Sequence, residues 1–245
     1  MLKAAYKSDI GRVRSVNEDR VVVKDGVAGG TLAIVADGMG GHQAGDTASQ
    51  ITIELVEASL RGIDVALDED ERAARLVDAI RAANAKVYEI ASGKEHYRGM
   101  GTTITAALVD ANRVLIGHIG DSRAYYIHRN EISQITEDHT LVNELVKTGQ
   151  LTREEAASHP RRNVITRALG TEFDVEVDVS RLPWAPGDVL LLCSDGLSNL
   201  ISEAELTRTV RGEGTLDEKA ERLVASALDA GGDDNITVVL LANEP

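Results

Sequence analysis

The chain has 245 residues, of which 40 are acidic and 26 are basic, so its formal net charge is −14. This charge argues against nucleic acid or an anionic membrane surface as the main partner, and an aromatic content of 3% leaves few rings on which bases could stack. The one cysteine, Cys193, excludes an intramolecular disulfide and a multi-cysteine zinc site.

We expect one domain spanning residues 1–245, because the sequence contains no internal repeat, low-complexity tract or linker rich in proline, glycine and serine. No apolar run approaches the roughly 20 residues that cross a bilayer. The start of the chain carries basic side chains without the apolar segment of a secretory signal. The sequence therefore predicts a cytoplasmic protein with no membrane segment.

The first predicted elements are a buried strand and two long helices. Residues 32–36 form an apolar run that predicts the strand, with the carboxylate of Asp37 at its end and a glycine-rich turn after it. Apolar residues then recur at helical spacing in residues 46–61 and 70–91. The side chains expected to face the core are Ile51, Leu55 and Ala58 in the first helix and Leu76, Ile80, Ala83, Val87 and Ile90 in the second.

Several short strands follow. Residues 102–110, 113–120 and 123–129 are rich in β-branched and aromatic side chains and are separated by turn residues, which predicts an antiparallel meander. Residues 173–179 alternate between apolar and acidic side chains, which predicts a strand with a solvated acidic face. Residues 187–193 form another apolar run and predict a further buried strand.

Capping boxes, in which a Ser or Thr precedes a Glu by three residues, mark the later helices. One lies within residues 139–157, a polar segment expected to be helical, and two open helices at about 202–210 and 215–230. The pairs are Thr152 with Glu155, Ser202 with Glu205, and Thr215 with Glu218. With a closing strand at residues 235–242, this pattern of antiparallel strands and separate helical blocks predicts an α+β layered sandwich.

Five segments place an aspartate where a strand meets a turn. A single aspartate in such a place usually bonds its own backbone. Five together suggest convergence, and clustered like charges are costly unless a cation joins them. Oxygen ligands favour Mg²⁺ or Mn²⁺ over zinc, and a glycine after Asp37 would let the carbonyl of Gly38 approach a cation. The segments are residues 17–19, 36–38, 120–123, 194–196 and 231–235.

Such a site suits phosphoryl chemistry. Two divalent ions roughly 3.5–4 Å apart can activate a water for attack on phosphorus. An arginine can then hold the phosphoryl oxygens in a forked geometry, and Arg14, four residues before Glu18, is the candidate.

Eight motifs in chain order resemble the metal-dependent type 2C serine/threonine protein phosphatases in their compact bacterial form. The resemblance runs from about residue 6 to residue 242, which is nearly the whole chain. The motifs are RSVNED (14–19), VADGMGGHQAG (35–45), GTT (101–103), GHIGDSR (117–123), TEDHT (136–140), RRNVITRALG (161–170), LLLCSDGLSNL (190–200) and GGDDNITVV (231–239).

The resemblance implies a four-layer α-β-β-α sandwich, with two antiparallel sheets flanked by helix pairs and two Mn²⁺ or Mg²⁺ ions bound at one end. Asp37 would bridge both ions, and Gly38 would contribute its backbone carbonyl. Asp195 and Asp234 would bind the second ion. Asp121 matches the position that helps to bind a weaker third ion in bacterial members of the family.

The resemblance also implies roles for residues around the ions. Arg14 would hold the substrate phosphate, and Glu18 and Asp19 would orient metal-bound waters. Residues 139–168 would form a mobile flap subdomain beside the site.

Two positions depart from the family pattern. Eukaryotic members have a histidine, a proposed general acid, where this chain has Met39. A metal-bound water or the nearby His42 could protonate the leaving group instead. Some members have an aspartate four residues after the one in SDG, where this chain has Asn199, and this weakens the expectation of a third ion.

Other phosphatase classes and nucleotide binding lack their motifs. A cysteine-based mechanism needs an arginine six residues after the cysteine, but Asn199 stands there after Cys193, which is expected in the core. Residues 68–71 lack the last residue of DxDx[TV], GDSR lacks the histidine of GDxH, and Gln43 breaks the GxGxxG pattern. A silent phosphoprotein-binding module would be expected to lose metal aspartates, and none is missing.

We therefore expect a protein phosphatase that hydrolyses phosphoserine and phosphothreonine through a hydroxide activated by a binuclear metal centre, with no phosphoenzyme. The implied partners are phosphoproteins and a cognate bacterial serine/threonine kinase, and the chain is expected to be a monomer. A cluster of three arginines could dock a phosphopeptide or form a structural ion-pair network, and these are Arg161, Arg162 and Arg167.

Overall fold

Two antiparallel sheets pack face to face in the computed structural model, which describes residues 2–40, 44–64, 66–93 and 95–244. One sheet has the strand order β1-β11-β10-β7-β8, and the other has the order β2-β3-β5-β6-β9 with β4 paired to β3. The strands are β1 (Leu2–Asp9), β2 (Asp19–Val27), β3 (Gly30–Met39), β4 (Gly101–Thr102), β5 (Ile104–Val109), β6 (Arg113–Ile119), β7 (Arg123–His128), β8 (Glu131–Gln134), β9 (Asp178–Pro183), β10 (Val189–Cys193) and β11 (Ile236–Asn243).

Helices cover the outer face of each sheet. The helices of the described residues are α1 (Ala44–Leu60), α2 (Glu69–Gly93), α3 (Leu141–Lys147), α4 (Arg153–Ala157), α5 (Asp195–Ser198), α6 (Glu203–Arg211) and α7 (Leu216–Asp229), with a 3₁₀ turn at Glu95–Tyr97. Of these, α1 and α2 pack on one sheet, and α6 and α7 pack on the other. None of the helices in the described part of the chain has the length and apolar character needed to span a bilayer.

Three hydrophobic clusters define four layers. Alternate residues of β3 point to opposite faces, so Leu32 and Ile34 pack under α1 and α2, whereas Ala33 and Val35 face the other sheet. The second cluster joins the outer face of the β1-containing sheet to α6 and α7. This arrangement confirms the predicted α-β-β-α sandwich.

The predicted face of α2 is largely confirmed. That of α1 is right for Ile51 and Leu55, which pack against the core although they are only partly buried, and wrong for Ala58. In α2, Leu76, Ile80, Ala83 and Val87 are buried, while Ile90 is partly buried. In α1 the fully buried side chains include Ala48, Thr52 and Val56, whereas Ile51 and Leu55 are half-buried and Ala58 is exposed. The fully buried row is Ala48, Thr52 and Val56, which are spaced at i, i+4 and i+8. The row that contains Ile51 and Leu55 lies beside it on the helix.

The predicted meander is right for its first two strands and wrong for the third. β5 and β6 pair in an antiparallel register, but β7 leaves that sheet and pairs with β10 in the other one. The turn between β6 and β7 is held to the residue before β5 by a hydrogen bond of 2.7 Å between the hydroxyls of Ser122 and Thr103. Gly120 has a φ of 112°, which disfavours any side chain at this point. The crossing turn carries Asp121.

The predicted strand at residues 173–179 is displaced, because β9 begins only at Asp178. The amide of Asn84, in α2, donates to the carbonyls of Glu172 and Phe173 at 3.1 and 2.9 Å, so these groups are satisfied outside a ladder. Val175 is nevertheless buried against the helix-facing core. The alternation therefore predicted burial correctly for Val175 but not for Phe173, whose side chain is 68% exposed.

The acidic positions of that segment are not a uniform solvated face. Asp178 forms ion pairs with Arg167 and His139 at 2.7 and 3.0 Å. Asp174 is exposed, as predicted.

The polar segment at residues 139–157 forms two short helices instead of one. Gly149, with a φ of 73°, lies between α3 and α4. The Thr152–Glu155 capping box is confirmed, since both of its hydrogen bonds are present, but it opens the second helix. The box at α7 also has both bonds, while Ser202 at α6 accepts the one bond from the N–H of Glu205.

Replacing Ile116 by alanine tests the importance of the interface between the sheets. Ile116 is fully buried in that interface. We expect Ile116→Ala to lower the free energy of unfolding by about 2–5 kcal/mol, because the lost packing leaves a cavity. Ile132→Ala, on the edge strand β8 where the side chain is only partly buried, should cost clearly less. Equal losses in denaturant titrations of the two variants would contradict this account.

Candidate metal and phosphate site

The first two carboxylates are brought together by the register of β2 and β3. Asp19 lies directly opposite Asp37 in this antiparallel pair, so the two side chains emerge close together on one face. The prediction that Asp37 ends its strand is wrong, because Gly38 and Met39 continue β3 by pairing with Thr102 and Gly101 of β4. The extra pairing fixes the backbone on both sides of Asp37.

Ser194 joins this pair to the ends of β10 and β11 in the other sheet. Its hydroxyl donates to Asp19 Oδ2 at 2.7 Å and accepts the N–H of Thr237 at 2.9 Å. Its own N–H donates to the carbonyl of Thr237 at 3.1 Å. Asp195 follows Ser194 directly, so the carboxylates of both sheets meet at one edge of the sandwich.

Asn235 positions the loop that carries Arg14 and Glu18. Its Oδ1 accepts the N–H of Glu18 at 2.8 Å, and its Nδ2 donates to the carbonyls of Ile10 and Val16 at 2.9 and 3.0 Å. Arg14 Nη2 donates to Asp234 Oδ2 at 2.7 Å. In the sequence Asn235 is part of the motif GGDDNITVV, and its neighbours along the chain do not reveal this role.

Two glycines are required by close backbone contacts. A Cβ on Gly38 would overlap the carbonyl oxygen of Gly45 at the start of α1. A Cβ on Gly196 would overlap the carbonyl oxygen of Asn235. The glycines beside the aspartates therefore let neighbouring backbone segments approach the site, and this is the steric role expected of them.

The carboxylates raise one another's pKa. For Asp37, burial is the largest cause of a pKa well above the usual value, followed by the charges of four other aspartates, Asp19, Asp195, Asp121 and Asp234. Asp37 keeps part of its surface exposed, so the desolvation reflects the dense packing around its carboxylate. This mutual influence shows that all five predicted segments contribute a carboxylate to one site.

Burial is the first cause at the other members as well. It raises the pKa of Asp19 to about 7, that of Asp121 to about 8 and that of Asp195 to about 6, with neighbouring carboxylates adding to each rise. The pKa of Glu18 is also raised by burial, against the opposing effect of hydrogen bonds and of Arg14.

The donor set fits a hard divalent cation. Four buried carboxylate oxygens have no hydrogen-bond partner among the described residues, and these are Glu18 Oε1, Asp19 Oδ1, Asp121 Oδ1 and Asp195 Oδ1. All are hard oxygen donors of the kind that Mg²⁺ and Mn²⁺ prefer. Within the same described residues, no three His, Cys, Asp or Glu side chains lie close enough together to coordinate one metal ion. The carboxylates are nevertheless close enough to affect one another's pKa, and four of their oxygens have no hydrogen-bond partner among the described residues.

A cavity of about 760 Å³ opens beside Asp121 and Asp195. Residues of α3, α4 and the following loop form one wall, including Arg162. The segment predicted as a flap therefore borders the site. Asn199 also lines the cavity and donates to Asp195 Oδ2 at 3.1 Å.

The remaining predicted residues are divided between the site and the scaffold. Arg167 belongs to an ion pair with Asp178. Cys193 is buried and its pKa is raised to about 12, chiefly by burial, so it is an inert core residue as expected. Met39 lies at the end of β3. His42, the alternative proton donor, lies outside the described residues.

Comparisons with known proteins agree with this geometry. The chain belongs to the protein phosphatase 2C family, whose profile matches residues 11–230. The serine/threonine phosphatase stp of Listeria innocua is 41% identical over 240 residues, covering 98% of this chain and 95% of that protein.

Two solved structures are similar along their whole length. The S. agalactiae serine/threonine phosphatase has a TM-score of 0.95 at 40% identity, with 100% of each chain covered. The catalytic domain of the serine/threonine protein phosphatase PstP, in complex with two manganese ions, has a TM-score of 0.86 at 39% identity, covering 100% of this chain and 99% of that one. The chain is accordingly a protein serine/threonine phosphatase of a metal-dependent family.

The raised pKa values give a test by pH in chelator-treated protein. Asp121 has a folded pKa of about 8 against 3.8 for a free side chain, so the folded state holds a proton that the unfolded chain releases. This contribution to stability is complete below about pH 4 and is lost as the pH rises towards about 8. We expect the free energy of unfolding to fall less steeply between about pH 6 and pH 8 in Asp121→Asn than in the wild type.

The control is Asp174→Asn, at an exposed position away from the site, which should keep the wild-type slope in urea titrations. Identical slopes for all three proteins would show that Asp121 does not carry an elevated pKa.

Proposed function

We propose that the chain hydrolyses phosphoserine and phosphothreonine on proteins by direct attack of water at a site for two divalent cations, Mn²⁺ or Mg²⁺. The observation that supports this proposal is the convergence of four aspartates on Asp37 with unpartnered carboxylate oxygens. When bound, the two cations would lower the pKa of the attacking water and neutralise charge on the phosphoryl group.

In this proposal Asp37 would be the central ligand of the cations, because the charges of all four other aspartates act on its carboxylate. Gly38 would contribute its carbonyl, and Asp195 and Asp234 would complete the second position. Asp121, on its own turn at the mouth of the cavity, would serve a weaker third position.

Glu18 and Asp19 would orient water by accepting hydrogen bonds. The backbone of Glu18 is held by Asn235 at 2.8 Å, and Asp19 uses only Oδ2 in its bond to Ser194. Glu18 Oε1 and Asp19 Oδ1 are without partners in the described structure. A carboxylate with one oxygen fixed and the other free is suited to direct a water molecule.

Arg14 would bind the phosphate of the substrate. Its side chain is half exposed and one nitrogen, Nη2, is held by Asp234. A guanidinium presents several donors in a rigid fork, so the remaining N–H groups stay available to phosphoryl oxygens. The ion pair fixes the fork beside the carboxylate cluster.

The wider role follows from the resemblance of the sequence and from the relatives. We propose that the substrates are phosphoproteins of a cognate bacterial serine/threonine kinase, that residues 139–168 act as a mobile flap over them, and that the chain works as a monomer. The cytoplasmic localisation of the protein stays a prediction from the sequence.

Asp37→Ala tests the metal-site assignment. Losing the central ligand removes several kcal/mol of charge stabilisation, so turnover of p-nitrophenyl phosphate with Mn²⁺ should fall by about 10³-fold or more. The fold should persist, because one repelling carboxylate is removed, and circular dichroism in chelator would verify this. Asp25→Ala, at the far end of the same hairpin, is the matched control and should retain activity. Near-normal turnover by Asp37→Ala would defeat the assignment.

Arg14→Ala tests the phosphate-binding role. We expect KM for a phosphopeptide to rise by about tenfold, with a smaller change in kcat, because a ground-state contact is lost. Arg12→Ala alters an arginine of the same loop that binds the carbonyl of Leu228 and Asp229 instead of the site. If KM is unchanged in Arg14→Ala, or rises equally in both variants, Arg14 does not bind the substrate.

A further inference from the structure

A buried histidine, His139, holds both backbone groups of the glycine that precedes Asp121. Its Nδ1 accepts the N–H of Gly120 at 2.9 Å. Its own N–H donates to the carbonyl oxygen of Gly120 at 2.8 Å. The turn that carries Asp121 is therefore clamped by one residue.

The hydrogen bonds fix the tautomer of His139. Because Nδ1 accepts a hydrogen bond from the N–H of Gly120, the ring proton is on Nε2, which donates to Asp178 Oδ2 at 3.0 Å. The ring of His118 lies against it, with 4.9 Å between centroids. Arg167 in turn donates to Asp178 Oδ1 at 2.7 Å. The imidazole is thus neutral and held from both sides in one orientation.

The same residue lies where the two ends of the proposed flap meet. The carbonyl of His139 accepts the N–H of Thr166 at 2.8 Å, and Thr140 and Ile165 form an antiparallel bridge. The segment from residue 140 to residue 165 therefore leaves and returns to the fold at His139. Movement at this root would be transmitted to Gly120.

The preceding residue clamps the turn from its other end. Asp138 accepts three hydrogen bonds from Arg123, at 3.0, 3.0 and 2.7 Å. Gly120 precedes Asp121 and Arg123 follows it two residues later. His139 bonds Gly120 and Asp138 bonds Arg123, so the turn is held on both sides of Asp121. Asp121 Oδ1 itself has no partner among the described residues, which leaves its direction to be set by the backbone of the turn.

We propose that His139 is a positioning residue that sets the direction of the Asp121 carboxylate and couples it to the root of the flap. It acts through the Gly120 hydrogen bond, while Asp178 and Arg167 keep its ring oriented. This inference rests on the proposed role of Asp121 at the third cation position.

The two nitrogen atoms of His139 can be tested separately. In His139→Asn the amide oxygen can replace Nδ1 and keep the bond from Gly120, whereas in His139→Gln the longer amide can replace Nε2 and keep the bond to Asp178. Mn²⁺ binding to the full chain is followed by electron paramagnetic resonance of the free ion. Asp121→Ala serves as the reference for loss of the weakest site.

We expect His139→Gln to raise the Kd of the weakest Mn²⁺ site by about 10- to 100-fold, as loss of a residue supporting a ligand does, and to leave the tighter sites unchanged. His139→Asn should keep the affinity within about threefold of the wild type. His128→Gln is the matched control, because His128 also bonds an aspartate, Asp188 at 2.7 Å, but at the opposite end of β7.

The outcomes separate this inference from the proposed function. If Asp121→Ala binds as many ions as the wild type, the third position itself is wrong and the inference falls with it. If Asp121→Ala loses an ion and His139→Gln does not weaken that site, the inference alone is overturned. A loss of all sites in His139→Gln, or an equal loss in His139→Asn, would overturn it too.

A second variant covers failure of His139→Gln to fold, judged by circular dichroism. Asp178→Asn keeps the Gly120 bond and removes the charge that orients Nε2–H. We expect it to weaken the same Mn²⁺ site, by a smaller factor than His139→Gln. An affinity equal to that of the wild type in this variant would overturn the proposal.

Discussion

Repulsion among five aspartates is the constraint that the architecture around the site has to meet. Their charges act on Asp37 together, so they must be held by bonds that do not use up their oxygens. Most of these bonds go to the backbone instead. The N–H of Asp37 donates to the hydroxyl of Thr103 at 3.0 Å, and Asn235 holds the N–H of Glu18. The ladders fix the chain, and one oxygen each of Asp19, Asp121 and Asp195 stays without a partner among the described residues.

The side chain of Ser194 bonds a carboxylate of the opposite sheet at this site, and it shows how the two layers are kept in register. Its hydroxyl has a single proton, which it donates to Asp19, and its oxygen accepts from Thr237. The β2–β3 hairpin is thereby tied to the ends of β10 and β11. These bonds hold the ends of strands from the two sheets next to each other.

The sequence predicted that these aspartates meet, but it did not predict the connections between them. Aspartates at strand ends are a local pattern, and its recurrence in five segments predicted their convergence, because strand ends at one edge of a sandwich lie close together. The crossing of β7 to the other sheet was not predictable, because the turn at Asp121 looks like any hairpin turn. Nor was the late start of β9, since a side chain of α2, Asn84, satisfies the backbone of Glu172 and Phe173 from 88 and 89 residues away.

The arginine cluster shows how structure resolves two alternatives that sequence leaves equal. Arg167 donates to Asp178 and to the carbonyl of Glu176, so moving it to a phosphate would leave Asp178 without its fixed counter-charge. Arg162 lines the cavity beside the carboxylates and has no ion pair among the described residues. The ion-pair alternative therefore holds for Arg167, which pairs with Asp178 at the root of the 139–168 segment, and docking of a phosphopeptide by Arg161 or Arg162 stays a prediction.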